Sequence, residues 1–166
     1  MSTGVKELRS LQKVNRSMAP GLLIRGALAG LTSGIVLAFI LKGAQKLTSE
    51  LVYTLLLNID FVAFMPKRLP EAVELALHLA VSIPLGIIYL VAVSYTGYRF
   101  LVGIVLGLAA GCIWIPLTLV SVRVPSIFDG RALLLWLIAH IVYGCILALF
   151  AGRSTREYER HKTGSL

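Results

Sequence analysis

The sequence predicts an all-α membrane protein whose four transmembrane helices form two pseudo-repeated helical hairpins. Three observations carry this. Hydrophobic residues make up 57% of the 166 residues and charged residues only 14%, against about a quarter charged in a soluble domain. The apolar residues fall in runs near the roughly 18–20 residues that cross a bilayer core. Glycines recur every fourth residue in alternate runs, a pattern that suits helix–helix packing in lipid.

The N-terminal segment, residues 1–20, sets Val5, Leu8, Leu11, Val14 and Met18 at helical spacing with Lys6, Arg9, Lys13 and Arg16 between them. It reads as a basic amphipathic helix on the anionic lipids of a cytoplasmic leaflet, or equally as a disordered basic tail. Its polar lead is too long for a secretory signal, and no small-residue cleavage site follows the first apolar run. The transmembrane domain covers 21–151. Pro20 suits the first turn of a helix, and the first span covers about 21–41, with Arg25 one turn inside and able to snorkel to the interface. The connection from 42 to 70 holds an apolar stretch, 51–65, broken by Asn58 and Asp60. It reads as interfacial or re-entrant, with a fifth span as the alternative.

The second span covers about 71–94, and the Thr96–Arg99 stretch, TGYR, makes a tight turn. The third covers about 100–121. The loop after it holds Pro125 and the turn-forming pair Asp129-Gly130. The fourth covers about 132–151, and a polar cytoplasmic tail follows at 152–166. With four spans and both termini inside, nine Lys and Arg lie on the inner side against six outside, Arg25 left aside. The positive-inside rule therefore favours a multi-pass protein with N-in and C-in orientation. The net charge of +8 belongs to these flanks. No basic stretch is interleaved with stacking aromatics, which argues against nucleic acid as a partner.

The first span carries Gly26, Gly30 and Gly34, the third Gly103, Gly107 and Gly111. Each strip lines one helix face and lets a neighbouring backbone approach closely. The second and fourth spans each carry one histidine, in LALHLAVS and LIAHIVYG, with a small residue four positions on. Spans 1–2 and 3–4 thus read as a parallel pseudo-repeat, or as chance likeness between glycine-rich apolar helices.

On the second span Glu71, Glu74, His78, Ser82, Leu85 and Tyr89 share a face. On the fourth, Trp136, His140 and Tyr143 do. His78 lies about 10 Å below Glu71, and His140 about 13 Å below Arg131, at about 1.5 Å rise per residue. The two can meet at similar depth. An ionised side chain in lipid costs at least about 2.5–3.5 kcal/mol, so each must face protein, water or headgroups. Glu71 and Glu74 sit where carboxylates complement a helix N-terminus and can pair with Lys67 or Arg68. The histidines read either as neutral rings hydrogen-bonded across helices or, with Glu74, as a proton or cation relay.

Cys112 and Cys145 sit at different depths in apolar runs and are expected as buried small apolar residues, joined neither in a disulfide nor at a metal. No metal-ligand spacing, phosphate loop or catalytic motif occurs, so no metal, cofactor or enzymatic activity is expected. Pro84 and Pro116 are expected to kink their helices.

HLAVSIPLGIIYLV, GIVLGLAAG with its following PL and VP, AHIVYG, and LKGAQ with MPKRLP together resemble the YagU-type family of small bacterial inner-membrane proteins, over most of residues 26–153. LTSELVYTLLLNIDFVAF departs from that pattern. The resemblance implies the bacterial cytoplasmic membrane and a loose link to acid tolerance. It carries over only His78 and His140, without a role. Two expectations stand side by side. One is a structural or accessory membrane protein, homodimeric or otherwise homo-oligomeric, in envelope or acid-stress physiology. The other is a small proton- or cation-handling transporter or channel.

Overall fold

A computed structural model describes residues 2–59, 69–121 and 124–151, with side chains from Pro20 onward. Among the described residues six helices and no strand occur: α1 (Ser2–Thr48), α2 (Val52–Leu57), α3 (Glu71–Thr96), α4 (Arg99–Gly111), α5 (Trp114–Val120) and α6 (Gly130–Phe150). Four stretches are long and apolar enough to cross a membrane: Pro20–Thr48, Glu71–Thr96, Arg99–Val120 and Gly130–Phe150. Each sequence-read span lies within one or two residues of these, except the end of the first. There the helix continues past residue 41 to Thr48. α1 also passes through Pro20 without a break, so residues 2–19 continue the first span's helix. The alternative fifth span through 51–65 is not formed by the described part of that stretch, which holds only the six-residue α2. Residues 60–68 and the tail from 152 lie outside the described residues.

The helices alternate in direction. Along α1, Gly26 borders Ile87 while Gly34 borders Leu79 and Ser82 of α3. Along α4, Gly103 borders Gly144 while Gly111 borders Leu137 of α6. Arg25, early in α1, donates from Nη2 to the Phe150 carbonyl at the end of α6, 2.9 Å away. That contact satisfies a terminal carbonyl and places a cation at the negative end of the helix dipole. The expected snorkelling arginine is thus a helix cap.

Local chemistry sets the ends. Gly97 takes φ 74° and closes α3 by donating to the Val93 carbonyl at 2.8 Å, the left-handed cap that glycine adopts without strain. Asp129 Oδ1 accepts from the Ala132 amide at 3.0 Å, so the Asp-Gly pair starts α6 as an N-cap. The prolines diverge. α3 runs through Pro84 unbroken, whereas the third span separates into α4 and α5 four residues before Pro116. Pro116 has no amide to give the Cys112 carbonyl, which instead takes the Ile115 amide at 3.4 Å. This leaves the Gly111 carbonyl free of its helical donor.

Glycine fixes how close the helices come. A Cβ on Gly86 would fall on the Gly26 carbonyl oxygen and the Gly30 amide. One on Gly103 would fall on the Gly144 carbonyl, and one on Gly107 on the His140 carbonyl. The neighbours are backbone, which cannot rotate aside. Around this core Leu23, Ile24, Phe39, Val81, Leu101 and Leu134 face outward, as lipid requires. Gly86→Val is expected to force α1 and α3 apart and cost about 1–3 kcal/mol or more. Gly43→Ala, with open space at its Cβ, is expected to be neutral or stabilising by up to about 1 kcal/mol. Thermal melting in detergent of both variants beside wild type checks the contrast.

Candidate functional site: a polar interior in one half of the bundle

The polar stripe of the second span divides by depth. Ser82 is the centre. Its Oγ donates to the Gly30 carbonyl at 2.7 Å and lies 3.1 Å from the Tyr143 hydroxyl. The missing side chain at Gly30 makes the first bond possible, and α6 supplies the second. With Oγ spent on the carbonyl, the Tyr143 hydroxyl is the donor of the pair. Tyr89, read as part of the same stripe, does not join them. Its hydroxyl donates to the Arg99 carbonyl at 3.1 Å, at the opposite end of the bundle.

The histidines lie on α3 and α6, on the same side of the closest glycine contacts. The His78 imidazole sits beside the Gly34 backbone, while its Nε2 is buried with no hydrogen-bond partner. His140 is 4% exposed, and its Nδ1 is 2.9 Å from the Trp136 carbonyl. Nδ1 therefore carries the hydrogen, and Nε2 holds the lone pair of the neutral ring. The registers of the two histidines differ. His78 borders Gly34, the last glycine of its strip, whereas the His140 carbonyl borders Gly107, the middle one.

Trp136 stacks on His140 at 4.4 Å between centroids and on Trp114 at 5.9 Å. Its indole Nε1 donates to the Gly111 carbonyl at 2.9 Å. That is the carbonyl released by the break before Pro116, so Trp136 repairs a broken helix that lipid could not. Ser33 completes the group. It is 0% exposed, and its Oγ has no partner.

Glu71 lies outside this interior. It pairs with Lys42 and accepts from the Tyr53 hydroxyl at 2.7 Å, and Lys42 lies over the Tyr53 ring at 5.3 Å. Lys67 and Arg68, its expected partners, lie outside the described residues. Burial, with the bond to Glu71 second, raises the Tyr53 phenol above its ordinary value, so the hydroxyl remains a donor. Glu74 is half-buried one turn above His78. Gln45 belongs to the same end: its Oε1 accepts from the Tyr53 and Thr54 amides, both at 2.9 Å, and caps α2. The motif reading missed Lys42, Gln45 and Tyr53, whose meeting depends on the chain reversal at Ser49, φ 65°. It also passed over Ser33 and the role of Trp136, although a serine beside the glycine strip and an indole one turn before His140 were visible signals.

Cys112 and Cys145 are free, but neither is buried as expected: Cys112 is exposed on the outer surface of the bundle and Cys145 half-buried. No group of three or more metal-ligating side chains occurs among the described residues. No protein-family model, curated protein or solved structure matches the chain. The helices and their lipid-facing surface define a multi-pass membrane protein with a polar interior confined to one half of its bundle.

Interhelical hydrogen bonds inside membranes contribute about 0.6 kcal/mol each on average, up to about 1.7. A double-mutant cycle of Ser82→Ala and Tyr143→Phe, read by thermal or denaturant unfolding in detergent, is expected to return a coupling in that range. Independent additivity would mean that the Ser82–Tyr143 contact contributes nothing.

Proposed function

We propose that the protein is a structural or accessory component of the bacterial cytoplasmic membrane, without catalytic activity, acting in envelope or acid-stress physiology. The bacterial assignment and the link to acid stress rest on the YagU-type pattern, including His78 and His140. N-in and C-in orientation rests on the distribution of Lys and Arg. The basic residues at 6, 9, 13 and 16 suit anionic lipid headgroups, and a homodimer or higher homo-oligomer would form through other faces, because the glycine strips are filled within the chain.

One observation supports this reading above the others. The polar side chains of the interior are largely spent on tying helices together: Ser82 to Gly30 and Tyr143, Trp136 to Gly111, Arg25 to Phe150. Beyond Ser82, the backbone contacts at Gly86 and Gly103 leave no polar side chain before Tyr89 to continue a path. A proton relay needs continuity, and this interior stops halfway.

The second reading, a small proton- or cation-handling transporter, is favoured by the unpartnered Nε2 of His78. The two are separated by recording internal pH in proteoliposomes after an external acid step, with wild type beside His78→Gln and Glu74→Gln. The structural reading expects no proton entry above empty liposomes and a lower melting temperature for His78→Gln. Proton entry that disappears in a mutant melting like wild type would replace it with the relay.

A further inference from the structure

Besides Ser121 Oγ at the end of α5, two polar atoms between the spans are buried with no partner: Ser33 Oγ and His78 Nε2. Both are shut off from solvent. A helical serine ordinarily bonds a carbonyl one turn back, and buried polar groups are nearly always paired. Leaving one unpaired disfavours the state that buries it. The closed bundle therefore holds these two groups in a condition that access to water would relieve.

Their position shows where water can reach them. Towards Tyr89 the way is closed by backbone on backbone, at Gly26, Gly30 and Gly86 and again at Gly103 and Gly144. Towards α2 the cover is made of side chains. Leu37 and Leu41 of α1 lie above Ser33, and Val52 and Leu55 of α2 complete the same apolar cluster. A helix of six residues is too short to hold itself. α2 is held by Gln45, whose Oε1 takes two of its amides and whose Nε2 donates to Thr54 Oγ1 at 3.0 Å, and by the Tyr53 bond to Glu71. These bonds are exposed or half-buried, where water competes for every partner.

We propose that α2 is a lid over a one-ended hydration site, and that its release admits water to Ser33, His78 and His140. Below Glu74 the polar side chains between the spans are uncharged: the Ser33 hydroxyl, the two imidazoles and the Ser82–Tyr143 pair. They offer donors and acceptors in the mixture that water satisfies, and no fixed charge to replace the hydration of an ion. The glycine contacts end the site halfway through the bundle. The lid does not depend on the structural reading or on the relay, because access of water is distinct from both flux and stability.

Thiol labelling tests it. In a background with Cys112→Ser and Cys145→Ser, a single cysteine is placed at Ser33 in the site, or at Leu147, which is 0% exposed and lies one turn before the Arg25-capped end of α6. A water-soluble maleimide reacts with the hydrated thiolate, and its rate is followed in detergent with and without Gln45→Ala. With the acceptor of two α2 amides removed, Ser33→Cys is expected to label about tenfold faster or more. Leu147→Cys is expected to keep its slow rate. Tryptophan fluorescence melting confirms that each variant unfolds cooperatively. If Gln45→Ala does not, Thr54→Val, which removes only the side-chain bond, takes its place with an expected acceleration of about two- to threefold. An unchanged Ser33→Cys rate in the folded lid variant overturns the proposal. So does equal acceleration at Leu147→Cys, which would mean that the whole bundle had loosened.

Discussion

The contact of backbone with backbone at the glycine strips is the constraint on which the rest depends. Lipid tails are as apolar as leucine, so burying leucine between helices brings little advantage inside a bilayer. What holds helices together there is close approach and the hydrogen bonds that close approach permits. At Gly30 both occur at once. α3 comes near enough for Gly86 to meet the Gly26 and Gly30 backbone, and at that distance Ser82 Oγ reaches the Gly30 carbonyl. At Gly103 and Gly107 the same absence of side chains seats α4 on the backbone of α6 at Gly144 and His140.

That packing also explains why the interior is asymmetric. Where glycine faces glycine no room remains for a polar side chain. His78, Trp136, His140 and Ser33 lie towards the other end, where the contacts loosen and a Cβ at Gly111 would meet only side-chain atoms at 3.3–3.6 Å. The break before Pro116 lies towards that end too. A carbonyl freed within the membrane must find a donor, and the Trp136 indole supplies it to Gly111. Trp136 is thus tied to the backbone on one side and stacked on His140 on the other, so a helix defect and the orientation of an imidazole are physically linked.

The sequence made the spans legible because length and apolarity are properties of single segments. It made the glycine strips legible because a spacing of four is visible without knowing the partner. The stripe on the second span was half legible. Periodicity put Ser82 and Tyr89 on one face, but depth separates them, Ser82 bonding α1 and α6 and Tyr89 the Arg99 carbonyl. The two prolines show a further limit. Both lie inside apolar runs, yet α3 continues through Pro84 while the third span breaks before Pro116, where Trp136 is present to take up the freed carbonyl. That partner lies 25 residues away, beyond any local rule. The pairing of Lys42 with Glu71, and the capping of α2 by Gln45, depend on a reversal at Ser49 that no motif announces.

One feature of the hydrogen bonding bears on how such a chain is made. α6 follows the other three described spans along the chain, and it holds a bond to each of them: Phe150 to Arg25, Tyr143 to Ser82, Trp136 to Gly111. Until it enters the bilayer, a guanidinium in the first span lacks its carbonyl, and the broken third span lacks its donor. The earlier helices are left with polar groups that lipid cannot satisfy. Closure of the four-span bundle therefore waits on α6, and a nascent chain halted before residue 130 presents the quality-control machinery of the membrane with an arginine and a split helix still awaiting their partners.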